Sequence, residues 1–264
     1  MTNDESSALI GFSGFVGGNL LRQRAFSATF NSKNIEQICG RAFDLVVVAG
    51  VRAEKWIANG DPEGDLQRIK SLVRCLDRVD TRKLVLISTV DVFINPVDVD
   101  EDSPTPTTGL QPYGKNRRLL EELVASRFDA HVIRLGGLYG HGLKKNVIYD
   151  FLNNNDVHKV DSRGIFQFYD LERLWKDIAC AMDNSLPLVH LPTEPVSVAD
   201  VAHGAFGLAF TNEVVPQPAR YDIHTKYAEL FGGSGPYLEH KTAELAGIAD
   251  FVARERAAKS ASSM

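Results

Sequence analysis

Three glycines near the start of the chain have the spacing of a loop that could hold a phosphate. The apolar stretch Ala8-Leu9-Ile10 leads into Gly11-Phe12-Ser13-Gly14-Phe15-Val16-Gly17, and an apolar helical pattern follows. Glycine lets the backbone approach a phosphate closely, and the N–H groups at the start of a helix favour negative charge. The spacing G-x-x-G-x-x-G differs from the more common G-x-G-x-x-G, and such a turn can also be purely structural. We favour the binding interpretation because the loop follows the first predicted strand.

A pair of hydroxyl residues and a tyrosine follow the glycine loop along the chain. Ser88 and Thr89 end a strongly apolar predicted strand, and Tyr113 opens a predicted helix. Arg117 stands four residues after Tyr113, and side chains with this spacing share one face of a helix. Because open parallel sheets bind ligands at the carboxyl ends of their strands, we expect the hydroxyl pair at the edge of the sheet that carries the glycine loop.

Apolar, β-branched runs alternate with helical patterns in the first half of the chain. Continuous runs such as 43–50 are typical of strands that are buried on both faces of a parallel sheet. The alternation predicts βαβ units and an α/β fold with a doubly wound, Rossmann-like parallel sheet. The predicted strands are 8–11, 28–31, 43–50, 83–89 and 131–135, and the predicted helices are 17–24, 65–79 and 113–126.

The second half of the chain is less regular. Acidic, proline-rich residues 96–109 predict a loop, and the polar residues 259–264 predict a frayed tail. The further predicted elements are a strand over 188–191 and helices over 147–152, 171–182, 198–210 and 241–257. Since there is neither a linker nor a repeat, we expect one continuous structural unit. Residues 1–140 would form its sheet core and 141–264 a small C-terminal lobe, with segments of about 160–200 returning to the core.

Composition excludes several classes of protein. The 264 residues have a net charge of −5, which gives no basic surface of the kind that nucleic acids require. The three cysteines lie far apart and are odd in number, which favours a reducing compartment over a disulfide framework. No CxxC or HxxxH pair suggests a metal site, the acidic N-terminus is unlike a signal peptide, and no apolar run is long enough for a membrane span. We therefore expect a cytoplasmic protein with no nucleic-acid or membrane partner.

The order of these motifs resembles that of the extended short-chain dehydrogenase/reductase family, which includes nucleotide-sugar epimerases, dehydratases and reductases. The resemblance covers nearly the whole chain and continues in Arg134–Gly140, Phe166–Asp170 and Glu194–Val201. It implies an NAD(P)-dependent oxidoreductase or epimerase-type enzyme for a nucleotide-activated sugar or a similar hydroxy or keto substrate. It also implies a dinucleotide-binding core, a substrate-binding C-terminal lobe and a homodimer.

The resemblance implies catalytic roles for Thr89, Tyr113 and Arg117. Tyr113 matches the family's general acid/base, whose phenol has a free pKa of roughly 10 and needs a nearby cation and the charge of the nicotinamide. Thr89 matches the hydroxyl that hydrogen-bonds the reacting oxygen, with Ser88 as the alternative register.

Arg117 stands where the family has lysine. An arginine keeps the positive charge and could bond a ribose hydroxyl, but it stays protonated and cannot relay a proton. The alternative for Arg117 is a solvated helix arginine like its neighbour Arg118, and the alternative for Tyr113 is a tyrosine packed on a loop.

The residues expected to bind the cofactor lie in the glycine loop, after the second and third strands, and on the tyrosine helix. The segment Asn31-Ser32-Lys33-Asn34 carries no carboxylate, and its lysine could accept a 2′-phosphate, which favours NADP over NAD. Lys33 could equally be an ordinary surface charge. The expected set is Gly11, Ser13, Gly14, Phe15, Val16, Gly17, Asn31, Ser32, Lys33, Ala49, Gly50, Tyr113 and Arg117.

Charged and polar residues after the strands are candidates for substrate binding, although each could be a solvated surface group. Asp91 follows Thr89 without a neighbouring glutamate, which favours a reductase or epimerase over a dehydratase. Ile69 falls where many relatives carry an asparagine, so the family's proton relay is incomplete here. A non-catalytic NAD(P)-binding sensor or partner subunit is therefore the alternative function. The candidates are Arg52, Asp91, His141, Lys144, Lys145 and Asn146.

Overall fold

A computed structural model of the chain describes residues 6–51 and 55–262. The strands are β1 (Ser7–Ile10), β2 (Ala28–Phe30), β3 (Ala42–Val48), β4 (Asp80–Thr89), β5 (Val97–Val99), β6 (Ala130–Leu135), β7 (Gly137–Tyr139), β8 (Ile165–Phe166), β9 (Phe168–Asp170), β10 (Leu188–His190), β11 (Val196–Ser197) and β12 (Asp222–Ile223). The α-helices are α1 (Phe15–Gln23), α2 (Lys55–Gly60), α3 (Pro62–Leu76), α4 (Pro112–Ala125), α5 (Val147–Asn153), α6 (Leu174–Asp183), α7 (Val198–Phe206) and α8 (Lys241–Ser262).

Six strands form one parallel sheet in the order β10-β6-β4-β3-β1-β2. The chain passes from β1 to β2 on one side and then returns to β3 on the other side of β1. The order of the strands therefore reverses at β1, and ligands of open α/β sheets bind beside such a reversal. This sheet confirms the predicted α/β, doubly wound fold.

The sheet belongs to a first compact unit, which comprises Met1–Asn95, Asp102–Leu135 and Glu172–His190. Its central strands are buried on both faces, which explains why they are continuous apolar runs rather than alternating ones. Side chains from these strands, α3 and α4 form its core, including Ile10, Val46, Leu84, Ile69 and Leu120.

A second compact unit comprises Pro96–Glu101, Gly136–Leu171 and Leu191–Met264. It contains the antiparallel pair β11-β8 and the parallel pairs β12-β5 and β7-β9. Its core is rich in aromatic residues and includes Tyr139, Phe151, Phe168 and Phe251. The sequence analysis placed the division at residue 140, and in the structure the chain first passes from the first unit to the second after Leu135, at the end of β6. Residues 172–190 belong to the first unit and lie within the segment of about 160–200 that was expected to return to the core.

Three local predictions were wrong. The predicted loop 96–109 contains β5, which pairs with β12. The helix predicted to reach residue 210 ends at Phe206, because Gly207 adopts a left-handed conformation with φ of 67° that terminates α7. The predicted tail is helical as far as Ser262, and the Lys259 ammonium holds this end of α8 by donating to Asn153 Oδ1 at 2.7 Å.

Within residues 6–51 and 55–262, none of the helices combines the length and the apolar character that crossing a membrane requires.

Candidate active site

The glycine loop follows β1 and turns sharply into α1. Gly11 has a φ of 91°, and a Cβ on this residue would overlap the backbone of Gly50. A Cβ on Gly17 would overlap the carbonyl oxygen of Gly11. Gly11 and Gly17 are therefore required by the close approach of backbone segments, which is what a compact strand–turn–helix connection demands.

Gly14 and the first turn of α1 form the exposed side of this loop. Gly14 is the N-cap of α1 and is exposed to solvent. Among the described residues, no side chain caps this helix end, and the first turn contains no acidic residue. The first N–H groups of a helix have no acceptor within the helix and carry partial positive charge. An anionic phosphate fits this uncapped end, which includes the predicted residues Phe15 and Val16.

The ends of β2 and β3 lie against the glycine loop. The Asn31 amide is 3.4 Å from Ser13 Oγ, and the Ala49 N–H donates to the Ile10 carbonyl at 2.8 Å. The Asn31 side chain also accepts a bond from the backbone N–H of Lys33 at 2.9 Å, while the side chains of Ser32 and Lys33 are exposed. The structure thus places the loop and the residues predicted after β2 and β3 beside one another, where the strand order reverses.

Ser88 and Thr89 point to different partners at the end of β4. The Ser88 hydroxyl donates to Glu121 Oε1 at 2.5 Å, and Glu121 is paired with Arg134 through contacts of 3.0 and 2.7 Å. Glu121 and Arg134 are both buried, so Ser88 belongs to an internal network. The Thr89 hydroxyl instead donates to Asp91 Oδ2 at 3.1 Å and lies close enough to the Tyr113 phenol to lower its pKa. The geometry therefore favours Thr89 over Ser88 as the partner of the tyrosine.

Tyr113 is held at the first turn of α4. Pro112 opens this helix, and the Tyr113 N–H donates to Asn59 Oδ1 at 3.0 Å. A Cβ on Gly114 would overlap the carbonyl oxygen of Asp91, so the backbone of α4 lies directly on the turn that follows β4. This contact brings the tyrosine side chain, which is only 7% exposed, to the end of the strand.

Burial raises the pKa of the Tyr113 phenol above its ordinary value, because the phenolate loses solvation. The Asp91 carboxylate raises this pKa further. The positive charges of Arg117 and Lys55 and the nearby Thr89 hydroxyl lower this pKa. The phenol is therefore protonated near neutral pH in this structure and can donate a proton.

Arg117 is buried, so the alternative of a solvated helix arginine is wrong. Its side chain is 5% exposed, and its two terminal nitrogens donate to the two carboxylate oxygens of Asp65 at 2.7 and 3.1 Å. The guanidinium carbon also lies 4.5 Å from the centre of the Tyr113 ring. Arg117 thus keeps a positive charge at the face of the phenol ring, as predicted, but a carboxylate neutralises that charge.

The sequence analysis did not identify Asp65 as a residue of the site. Asp65 lies on the same buried face of α3 as Ile69 and Leu76. A charged residue among apolar residues at helical spacing is the signal in the sequence that could have identified it. Burial by itself would raise the pKa of Asp65, but hydrogen bonds from Arg117 and Asn116 and the charge of Arg117 bring it below the usual value. Asp65 is consequently a buried carboxylate that stays ionised.

Asp91 and Lys55 form a second ion pair beside the tyrosine. The Lys55 ammonium lies 2.6 Å from both carboxylate oxygens of Asp91. The Thr89 hydroxyl donates to Asp91 Oδ2 at 3.1 Å, and the Asp91 N–H donates to Thr89 Oγ1 at 3.1 Å. Arg52, the other charged candidate of this turn, lies outside the described residues.

The remaining candidates for substrate binding belong to the second unit. His141, Lys144 and Lys145 are exposed, and their role in substrate binding stays a prediction. Asn146 is the N-cap of α5 and accepts bonds from Ile148 N and Tyr149 N at 3.1 and 3.2 Å. Its amide also donates to the Leu138 carbonyl at 2.8 Å, so helix capping accounts for this asparagine.

A scan against protein-family models finds no match to the chain, and neither does a search of curated proteins. Solved structures do match over nearly the whole chain. RMD from Pseudomonas aeruginosa complexed with NADPH is 15% identical, with a TM-score of 0.70 over 94% of this chain and 98% of that one. A dTDP-4-dehydrorhamnose reductase from Clostridium acetobutylicum is 16% identical, with a TM-score of 0.71 over 95% and 99% of the two chains.

A UDP-glucose-4-epimerase from Stenotrophomonas maltophila, with bound NAD and formylated UDP-arabinopyranose, is similar to the same extent. It is 13% identical, with a TM-score of 0.71 over 96% of this chain and 99% of that one. These similarities confirm the fold that the motif order implies: the chain has the fold of these three proteins, one of which is complexed with NADPH and one of which binds NAD.

Proposed function

We propose that the chain is an NAD(P)-dependent oxidoreductase or epimerase-type enzyme that acts on a nucleotide-activated sugar or a similar hydroxy or keto substrate. The observation that carries the proposal is the buried Tyr113 phenol, which lies beside Thr89 at the carboxyl end of β4. It lies in the same unit as the uncapped glycine loop. The fold shared with nucleotide-sugar epimerases and reductases supports the substrate class.

A nicotinamide dinucleotide fits the edge of the sheet where β1, β2 and β3 end. The start of α1 would hold the pyrophosphate, and Asn31, Ser32 and Lys33 would face the adenosine ribose. Lys33 is exposed at the end of β2, and its charge favours the 2′-phosphate of NADP. When bound, the nicotinamide supplies the acceptor or donor of a hydride.

Thr89 and Tyr113 would then handle the oxygen of the substrate. The Thr89 hydroxyl can steady this oxygen by a hydrogen bond, and the Tyr113 phenol can give it a proton or take one from it. Arg117 holds the tyrosine ring from its face and does not move protons, since it is tied to Asp65 and stays protonated.

Two measurements test the proposal. Fluorescence titration with NADPH and NADH measures cofactor binding, and a panel of UDP- and dTDP-sugars, followed by absorbance at the nicotinamide band and by NMR, measures turnover. We expect Tyr113→Phe to lower turnover by about 10²–10⁴-fold and to leave cofactor affinity nearly unchanged. Tyr227→Phe, the same change at a tyrosine of the second unit, is the matched control. Absence of binding at submillimolar cofactor, or full activity of Tyr113→Phe, would overturn the proposal.

The homodimer and the cytoplasmic location stay predictions of the sequence analysis. The homodimer rests on the family resemblance, and sedimentation of the purified chain tests it. The location rests on the three cysteines, which are far apart in the sequence and are free thiols in the structure.

A further inference from the structure

We propose that Asp65 is a positioning residue of the active site, which holds the Arg117 guanidinium against the ring of Tyr113 and limits the positive charge that acts on the phenol. Asp65 acts through Arg117 and not by contact with the substrate. The inference rests on the proposed function, in which Tyr113 exchanges a proton with the substrate. It assigns a role to α3, a helix that contributes no residue to the expected site.

Arg117 connects the Asp65 carboxylate to the Tyr113 ring through direct contacts. Its two terminal nitrogens donate to the two Asp65 oxygens at 2.7 and 3.1 Å. Its guanidinium carbon lies 4.5 Å from the centre of the Tyr113 ring, a distance at which a cation interacts with an aromatic face. Arg117 therefore contacts both the carboxylate on α3 and the tyrosine on its own helix.

Asp65 is held in place by a further donor. The Asn116 amide donates to Asp65 Oδ2 at 2.9 Å and to the Pro62 carbonyl at 3.3 Å, which joins α4 to the first turn of α3. Asp65, Asn116 and Arg117 are all buried, and Arg68 on α3 is a second cation that acts on Asp65. Because the contact between Arg117 and Asp65 is bidentate, it fixes the orientation of the guanidinium as well as its position.

The same contact determines how much positive charge acts on the phenol. A cation beside a phenol favours the phenolate, and a carboxylate paired with that cation opposes this effect. The charged groups that face the Tyr113 phenol are Arg117 on α4, Lys55 on α2 and Asp91 after β4. The Asp65 carboxylate therefore adds to burial in keeping the phenol protonated, although a guanidinium lies against its ring.

A protonated phenol suits the reduction of a keto group. In this step the carbonyl carbon gains a hydride from the bound nicotinamide, which is oxidised, and the carbonyl oxygen gains the proton of the Tyr113 hydroxyl. One O–H bond breaks and one forms, and the phenolate that remains takes a proton from water. Because the phenol must carry its proton when the keto substrate is bound, we expect the basic limb of the kcat profile to follow the ionisation of Tyr113.

The ionisation of Tyr113 tests the proposal without substrate. NMR of protein labelled with ¹³C in the tyrosine rings follows each phenol, and the Tyr113→Phe spectrum assigns this one among the seven tyrosines. We expect Asp65→Asn to lower the titration midpoint of Tyr113 by about one pH unit, because the amide leaves the Arg117 charge uncompensated. Glu63→Gln removes an exposed carboxylate from the first turn of α3 and is the matched control, which should leave the midpoint unchanged.

Two further variants separate the charge of Asp65 from its packing. Asp65→Glu keeps the carboxylate and should keep the Tyr113 midpoint within about half a pH unit of the wild type. Asp65→Leu combined with Arg117→Met leaves no unpaired ion in the core, and it should also keep the midpoint within about half a unit. If Asp65→Asn does not fold, the double variant tests the proposal. A rise of about one unit or more in the double variant would show that Arg117 acts on the phenol as an uncompensated cation, which overturns the proposal.

Turnover of a UDP- or dTDP-keto sugar with NADPH gives a readout that a purely structural role of Asp65 would not move. We expect the basic limb of the kcat profile of Asp65→Asn to shift to lower pH together with the NMR midpoint, with little change in KM. If Asp65→Asn and Glu63→Gln give the same Tyr113 midpoint, or if Asp65→Asn keeps the wild-type pH profile, the proposed role of Asp65 is wrong. Absence of NADPH and NADH binding in the wild type would instead overturn the proposed function, while a lowered Tyr113 midpoint would still show the coupling to Asp65.

Discussion

Two buried carboxyl groups, Asp65 in the first unit and Glu244 in the second, respond to burial in opposite ways. Asp65 is 1% exposed and is held by Arg117 and Asn116, which bring its pKa below the ordinary value despite burial. Glu244 is 0% exposed and accepts the Phe168 N–H at 2.7 Å. Burial, together with the charges of Glu239 and Glu194, raises the pKa of Glu244 to about 9. Low exposure alone therefore does not determine whether a carboxyl group is charged.

The opposite pKa shifts of Asp65 and Glu244 make their contributions to folding stability depend on pH in opposite ways. Asp65 contributes stability above its unfolded pKa, and this stability is lost as the pH falls through its lower folded pKa. Glu244 behaves in the opposite way, because the folded protein binds its proton more tightly than the unfolded chain does. Its effect on stability becomes less favourable as the pH rises from about 4.5 toward 9.

Removal of the cation from Asp65 should have the largest effect. We expect Arg117→Met to lower the free energy of unfolding by about 3–5 kcal/mol, since it leaves an uncompensated charge in the core. Urea denaturation measures this loss, and Arg118→Met on the same helix should cost at most about 1 kcal/mol. Combining Arg117→Met with Asp65→Leu should recover most of the stability. If Arg117→Met lowers the free energy of unfolding no more than Arg118→Met does, Arg117 does not stabilise an ionised Asp65.

Because Glu244 is neutral in the folded protein, the effect of its substitution on stability should depend on pH. We expect Glu244→Gln to gain stability relative to the wild type as the pH rises from 5 to 8, by about 4 kcal/mol, because glutamine has no proton to lose. Thermal unfolding of both proteins at these two pH values measures the difference. Glu255→Gln on the same helix is the control and should follow the wild type. Parallel pH dependence of the Glu244→Gln variant and the wild type would show that Glu244 is ionised at neutral pH.

Arg117→Lys keeps a positive charge beside Asp65 and should therefore have a smaller effect than Arg117→Met. Lysine keeps the charge but cannot grip both oxygens of Asp65, so we expect a loss of about 1–2 kcal/mol in unfolding free energy. If the site is adapted to arginine, turnover should fall while NADPH affinity is kept. A large gain in turnover would contradict this view and indicate a site that has lost its lysine.

The sheet and the glycine loop could be predicted from the sequence because their signals are local. Buried parallel strands are apolar runs, as in 43–50. Gly11 and Gly17 stand where any side chain would overlap neighbouring backbone atoms. The proximity of Thr89 to the tyrosine also follows from their places at a strand end and a helix start.

Non-local contacts could not be predicted in the same way. Asp65 and Arg117 are 52 residues apart and meet because α3 packs beside α4, so neither side chain indicates the other in sequence. Strands β5 and β12 have three and two residues, too few to show a period, and their pairing depends on segments more than 120 residues apart. Such pairs are determined by packing and not by local propensity.

The contact of Gly114 with the Asp91 carbonyl has a mechanical consequence. The distance between the backbone of the first turn of α4 and the turn after β4 is set by two backbones that touch, with no side chain between them. Close-packed backbones transmit displacement with little compression. Thermal motion of side chains around the site therefore leaves this spacing unchanged, and only a shift of the whole helix α4 can open it. The backbones that carry Tyr113 and Thr89 are thus held at a spacing that only glycine at position 114 permits.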